Sequence, residues 1–112
     1  MLAEMEAGFD ALVVLTQNID GLHTAAGSTH VVELHGNIRR AKCFDANHPA
    51  PGPYPAGEVP PRCACGSYLR PDVVWFGEML DPAHLDRASN AIAACDVMLV
   101  VGSRVGNLDV PF

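Results

Sequence analysis

The run Ala11-Leu12-Val13-Val14-Leu15, followed at once by Thr16-Gln17-Asn18-Ile19-Asp20, decides the fold class of this chain. Five consecutive apolar residues stopped by a polar segment read as a short strand buried on both faces, the pattern of a parallel sheet. Parallel neighbours need a crossover between them. Gly21 to Ala26 supplies it as a short helix closed by Gly27, and Val31-Val32-Glu33-Leu34 reads as the second strand.

Upstream, Leu2 to Phe9 carries apolar residues at helical spacing around Gly8 and reads as the closing turns of a helix that begins earlier. Downstream, Asp72-Val73-Val74-Trp75-Phe76 has strand character, and Asp81-Pro82 opens a helix with proline in its first turn. Leu85, Ala88, Ile92 and Cys95 mark the apolar stripe of that helix. Asp96-Val97-Met98-Leu99-Val100-Val101-Gly102 reads as a further buried strand. Strand, helix and strand in this order predict an α/β fold with right-handed crossovers, a partial Rossmann-like parallel sheet.

Composition changes between Cys43 and Leu69, where six of the nine prolines lie from Pro49 to Pro61 and a regular helix is excluded. This stretch reads as a small proline-rich module inserted in the main sheet and held by loop chemistry or a metal. The expected division is a first Rossmann-like segment over 1–42, the cysteine-containing module over 43–69, and a second Rossmann-like segment over 70–112, cut at both ends.

The 112 residues suffice for one domain, and 49% hydrophobic against 18% charged residues is ordinary globular usage. Thirteen acidic residues against seven basic ones leave a formal charge of −6, and the strongest basic grouping is Arg39-Arg40-x-Lys42. That field does not suit a phosphate backbone, so nucleic acid is not an expected partner. Apolar runs such as Val97 to Val101 fall far short of the roughly 20 residues that span a bilayer. Met1 to Glu6 lacks the basic and apolar regions of a secretory signal, so the expected location is cytoplasmic, with no membrane partner. Among four cysteines, Cys43, Cys63 and Cys65 flank the proline-rich stretch, and in a reducing compartment such a group favours a metal over disulfides. Cys95, on the helical pattern, reads as an inert buried thiol.

Ligands of open α/β sheets gather beyond the carboxyl ends of the strands. Three polar or glycine-bearing segments fall there: Gln17-Asn18-Ile19-Asp20, His35-Gly36 and Gly102-Ser103. Their convergence would bring together an amide, a carboxylate and an imidazole, which suits a polar cofactor and proton transfer. His35 is the candidate general base, because an imidazole titrates near neutral pH. Asn18 and Asp20 could equally do no more than cap the short helix. His30 and His84 read as solvated positions, and His23 as packing beside the crevice.

Three motifs, Thr16-Gln17-Asn18-Ile19-Asp20-Gly21-Leu22-His23, Glu33-Leu34-His35-Gly36 and Leu69-Arg70-Pro71-Asp72-Val73-Val74-Trp75-Phe76-Gly77-Glu78, stand in the order found in the sirtuin family of NAD-dependent protein-lysine deacylases. The chain resembles that family over roughly Ala11 to Gly102. The resemblance implies that Gln17, Asn18 and Asp20 line the nicotinamide and ribose end of an NAD site, that Gly102 and Ser103 also touch the cofactor, and that His35 is the catalytic base. It implies that an acyl-lysine protein or peptide adds as an extended strand along Val74, Phe76 and Gly77. Val74, Trp75 and Phe76 could otherwise be plain sheet core. The implied reaction joins the acyl oxygen to the ribose carbon bearing nicotinamide. His35 then frees a ribose hydroxyl, and free lysine, nicotinamide and an acylated ADP-ribose result.

The chain departs from the family where sirtuins bind structural zinc through two pairs of cysteines two residues apart. Ala46 stands where the partner of Cys43 is expected, and the second pair is Cys63-Ala64-Cys65. The candidate ligands are Cys43, Cys63 and Cys65, with His48 or Asp45 completing a mixed site; a metal-free loop held by its prolines is the alternative. A glycine-rich phosphate loop of the Rossmann kind does not occur in the sequence. Its family equivalent, with the residues that select the acyl group, is expected upstream. The chain therefore reads as the central part of a deacylase, inactive alone, or as a non-catalytic binding module derived from one.

Overall fold

A computed structural model describes residues 1–57 and 59–102. Its first half follows the α/β expectation. Helix α1 (Leu2–Met5) runs into a 3-10 turn at Glu6–Gly8. Strand β1 (Val14–Thr16) and strand β2 (Val31–Glu33) pair in parallel, Val14 opposite Val31 and Thr16 opposite Glu33, with helix α2 (Leu22–Ala25) in the connection. A second, antiparallel sheet has the order β4-β3-β5, from β3 (Gly36–Cys43), β4 (Pro49–Pro53) and β5 (Leu69–Val73). Proline cannot donate to a ladder, so the proline-rich β4 takes an edge position.

Helix α3 (Pro82–Ala94) begins where Asp81-Pro82 predicts: the Asp81 carboxylate accepts the Ala83 N–H at 2.8 Å, and Pro82 occupies a first-turn position that needs no donor. Ala88 packs with Val32 and Leu34, and Leu15 of β1 lies against them. That small core fixes α3 on the β1–β2 sheet.

The two sheets share one seam. Only the turn at Leu34 and His35 separates β2 from β3. Across it, Arg40 of β3 pairs with Glu33 of β2 at 2.6 Å and with Asp72 of β5 at 3.1 Å, while the Asn37 amide donates to Glu33 at 2.8 Å. The Arg40 side chain is half exposed, so the network contributes orientation more than stability.

Several expectations are corrected. Strand β1 starts at Val14 rather than Ala11, and Val13 is 42% exposed, because β2 is the one strand paired with it among the described residues. The strand expected at Asp72–Phe76 lies at Leu69–Val73 and pairs antiparallel with β3, since the chain turns away at Trp75. Val97 to Val101 forms no strand and its residues are 48–83% exposed. A buried strand needs a hydrogen-bonded neighbour on its flank, and among the described residues none pairs with this run, so the crossover expected through α3 reaches no strand. Cys95 is exposed rather than buried, its thiol facing the Ile92 carbonyl at 3.1 Å, because the covered face of α3 reaches burial at Ala88 alone. Among the described residues no helix is long and apolar enough to cross a membrane.

Candidate active site and metal centre

Backbone hydrogen bonds strap the loop after β1 onto the seam. The Leu34 N–H donates to the Thr16 carbonyl and the Ile38 N–H to the Ile19 carbonyl, both at 2.9 Å. Within the loop, the Asn18 N–H donates to the Thr16 hydroxyl at 3.1 Å and the Leu22 N–H to the Asp20 carboxylate at 3.0 Å. Asp20 thus caps α2. Gln17 and Asn18 are exposed, and their side-chain amides bond to no protein group among the described residues.

His35 closes over this loop, with Nδ1 3.0 Å from the Gln17 carbonyl oxygen. A carbonyl can only accept, so Nδ1 carries the proton and Nε2 keeps a free lone pair when the ring is neutral. On the other side, the His35 carbonyl accepts the Val74 N–H at 2.9 Å. The backbone therefore brings the Gln17 loop, His35 and Val74 into one unit. A cavity of about 420 Å³ runs alongside, lined among others by Gly36, Asp72, Val74, Leu80 and His84. His84, expected in solvent, borders it half-buried.

Gly36 is indispensable to that unit. Its φ is +82°, and a Cβ there would sit 2.0 Å from the Asp72 carbonyl oxygen. Gly36→Ala combines left-handed strain with a backbone clash, and is expected to destabilise by on the order of 3 kcal/mol, read as a lowered midpoint in denaturant.

Gly102 is not brought into this unit: it is exposed, and a Cβ on it would meet nothing within 4 Å. Ser103 lies outside the described residues. Phe76 is fully exposed, and Gly77 turns the chain with φ +83°.

Reading the sequence missed Arg70. It is buried, its two terminal nitrogens both bond Glu78, one of them also donates to the Val73 carbonyl at 2.9 Å, and its guanidinium lies 3.4 Å over the Trp75 ring. Glu78 in turn accepts the Trp75 N–H at 2.9 Å. Hydrogen bonds from Arg70 first, and from the Trp75 amide second, hold the Glu78 carboxyl at about 2. A depressed carboxylate stabilises fully above its unfolded value of 4.5 and loses that contribution as pH falls through about 2, so the turn stays clamped except in strong acid.

In the small module, Cys43, His48, Cys63 and Cys65 present donor atoms that all lie within 4.8 Å of one another. The Cys43 and Cys65 sulfurs are 3.5 Å apart, and the Cys63 sulfur is 3.8 Å from His48 Nε2. Zinc bonds of about 2.3 Å to sulfur and about 2.0–2.1 Å to nitrogen, at tetrahedral angles, require donor separations of roughly this size. The donor set fits zinc. His48 reaches it through a tight turn in which the Asn47 N–H donates to the Cys43 carbonyl at 3.1 Å and Asn47 adopts φ 58°. Gly66, at φ +92°, folds the Cys63–Ser67 loop so that one residue between the cysteines suffices. Asp45 instead accepts the Ser67 hydroxyl, which ties the two ligand loops together. The Ser67 backbone N–H and the thiols of Cys63 and Cys43 hold the Cys65 thiol below its ordinary value. At Cys63 the Cys65 N–H acts in the same sense, but burial and the neighbouring thiols outweigh it and raise that thiol.

The Sir2 family profile matches residues 1–106. The chain is 46% identical over 105 residues to NAD-dependent protein deacylase 1 of Caldanaerobacter subterraneus subsp. tengcongensis, covering 92% of this chain and 43% of that protein. It is 50% identical over 103 residues to NAD-dependent protein deacylase 2 of Pyrobaculum aerophilum, covering 91% and 41%. Among solved structures, a Sir2 homologue in complex with NAD is 45% identical with a TM-score of 0.71, over 80% of this chain and 36% of that one. A Sir2–p53 peptide–NAD+ complex is 35% identical with a TM-score of 0.66, over 80% and 39%. The chain spans less than half the length of these curated relatives.

Proposed function

Because this chain belongs to the Sir2 family, we propose that the protein carrying it is an NAD-dependent protein-lysine deacylase that releases nicotinamide and an O-acyl-ADP-ribose. The observation that carries this reading is the imidazole of His35, held through Nδ1 on the Gln17 carbonyl with Nε2 free. Bound NAD would supply the ribose that receives the acyl group and the nicotinamide that leaves. In this reading Gln17, Asn18 and Asp20 face that end of NAD, and the exposed amides of Gln17 and Asn18, unpaired among the described residues, fit the task. His35 Nε2 is the atom that takes the proton. Gly102 and Ser103 are retained as cofactor contacts in the whole protein. Pyrophosphate-binding glycines are not among the residues of this chain, so the NAD site proposed here is its nicotinamide half.

Val74, Phe76 and Gly77 are assigned to the acyl-lysine peptide, which would add as a strand beside the seam. The Val74 N–H bond to the His35 carbonyl supports this reading, since it joins the segment proposed for the peptide to the residue proposed as base. The module over 43–69, which contains all four metal donors, is assigned a structural zinc, while the flanking segments 1–42 and 70–112 carry the chemistry. A cytoplasmic location goes with this reading, since a zinc site of thiolates suits a compartment that keeps cysteines reduced.

Protein expressed from the full coding sequence, mixed with NAD and an acetyl-lysine peptide, should release one nicotinamide per lysine freed, with an acetylated ADP-ribose detectable by mass. No nicotinamide release from folded protein would overturn the proposal, and peptide binding without turnover would favour a non-catalytic module.

A further inference from the structure

Proton transfer at His35 makes no use of Arg70 or Glu78, yet the pair dominates the neighbouring turn. A buried guanidinium forked onto a carboxylate and stacked on an indole is a large investment of polar groups. What it holds still is a tip that contributes nothing to the protein's own core, since Phe76 is fully exposed and Gly77 has open space around it. The bonds also decide which backbone groups of the turn are left over. The Val74 N–H is committed to His35, the Trp75 N–H to Glu78, the Glu78 N–H to the Trp75 carbonyl, and the Val73 carbonyl to Arg70. The Val74 carbonyl and both backbone groups of Phe76 take no partner among the described residues. Such groups form the ladder that an added extended strand would complete.

We infer that Arg70 and Glu78 are positioning residues that fix the Trp75–Gly77 turn so that its free backbone groups and the Phe76 ring meet the acyl-lysine peptide in one register. The inference rests on the peptide assignment of Val74, Phe76 and Gly77 made above. Neither side chain touches the reacting atoms. Their effect falls on peptide affinity, while the Gln17 loop and His35 keep their geometry.

The test is calorimetric titration of the full-length protein with an acetyl-lysine peptide and, separately, with NAD, together with steady-state kinetics. Glu78→Gln removes the charge pair, and Arg70→Lys keeps the charge while losing the fork and the stacking. Each should weaken peptide binding and raise the peptide KM roughly tenfold, with kcat at saturating peptide and NAD affinity within about twofold of wild type. Phe76→Ala, which removes a side chain buried against nothing, should leave the melting temperature unchanged and still weaken the peptide. Unchanged peptide affinity in these variants, or equal loss of peptide and NAD affinity, overturns the inference while the deacylase reading stands. Wild-type protein that binds no acyl-lysine peptide overturns both.

Discussion

Replacing His35 with alanine should lower turnover of an acyl-lysine peptide by about 10²- to 10⁴-fold, the range contributed by a positioned general base. The expectation rests on geometry. Among the described residues the ring makes one hydrogen bond, to the Gln17 carbonyl, and is only half-buried. Its removal therefore takes away the proposed base without exposing a core, and the melting temperature should hold. His30, whose exposed ring bonds the Thr29 hydroxyl away from the Gln17 loop, serves as the control: His30→Ala should retain wild-type turnover. Steady-state rates of the two variants, measured with saturating NAD, check both statements. Retention of normal turnover by the His35 variant would remove the imidazole from the chemistry.

The second large effect concerns the metal. The antiparallel sheet has little apolar material of its own: among the described residues Ala41, Cys43 and Val73 are its buried hydrophobic residues, Cys63 joins them from the loop between β4 and β5, and β4 is made largely of prolines. A core of that size does not hold a sheet without a staple. Structural zinc contributes about 10–16 kcal/mol of apparent binding energy in small peptide sites, far more than such a core supplies. Purified protein should carry one equivalent of zinc, and a strong chelator should melt the small sheet. His48→Ala and Cys63→Ser should lose the metal. Asp45→Ala, which removes only the link to Ser67, should keep it. Metal analysis with thermal melting reads each result, and less than about a tenth of an equivalent in wild-type protein would exclude the site.

The sequence made the local elements visible and hid the pairings between them. Asp81-Pro82 announces α3 because its cap and first-turn chemistry are written in adjacent residues. The β1–α2–β2 unit is legible for the same reason, an apolar run closed by turn residues. Val97 to Val101 carries the same signal as a buried strand and is exposed, because periodicity reports what a segment can bury and not whether a neighbour is there to cover it. The antiparallel partner of Leu69–Val73 was invisible since β3 carries charged residues on its outward positions and spans an expected boundary. Arg70 and Glu78 lie eight residues apart and meet only because Gly77 reverses the chain. At the metal centre, Cys43, Cys63 and Cys65 were legible by residue type, while the choice between His48 and Asp45 required the turn at Asn47.

Nitrogen NMR of the labelled His35 ring, in protein kept above the pH at which the imidazole is charged, tests the catalytic arrangement most directly. A proton on Nδ1 and a bare Nε2 are expected, as the Gln17 carbonyl dictates. A proton on Nε2 with Nδ1 bare would contradict it, because the atom meant to receive the proton would already be occupied.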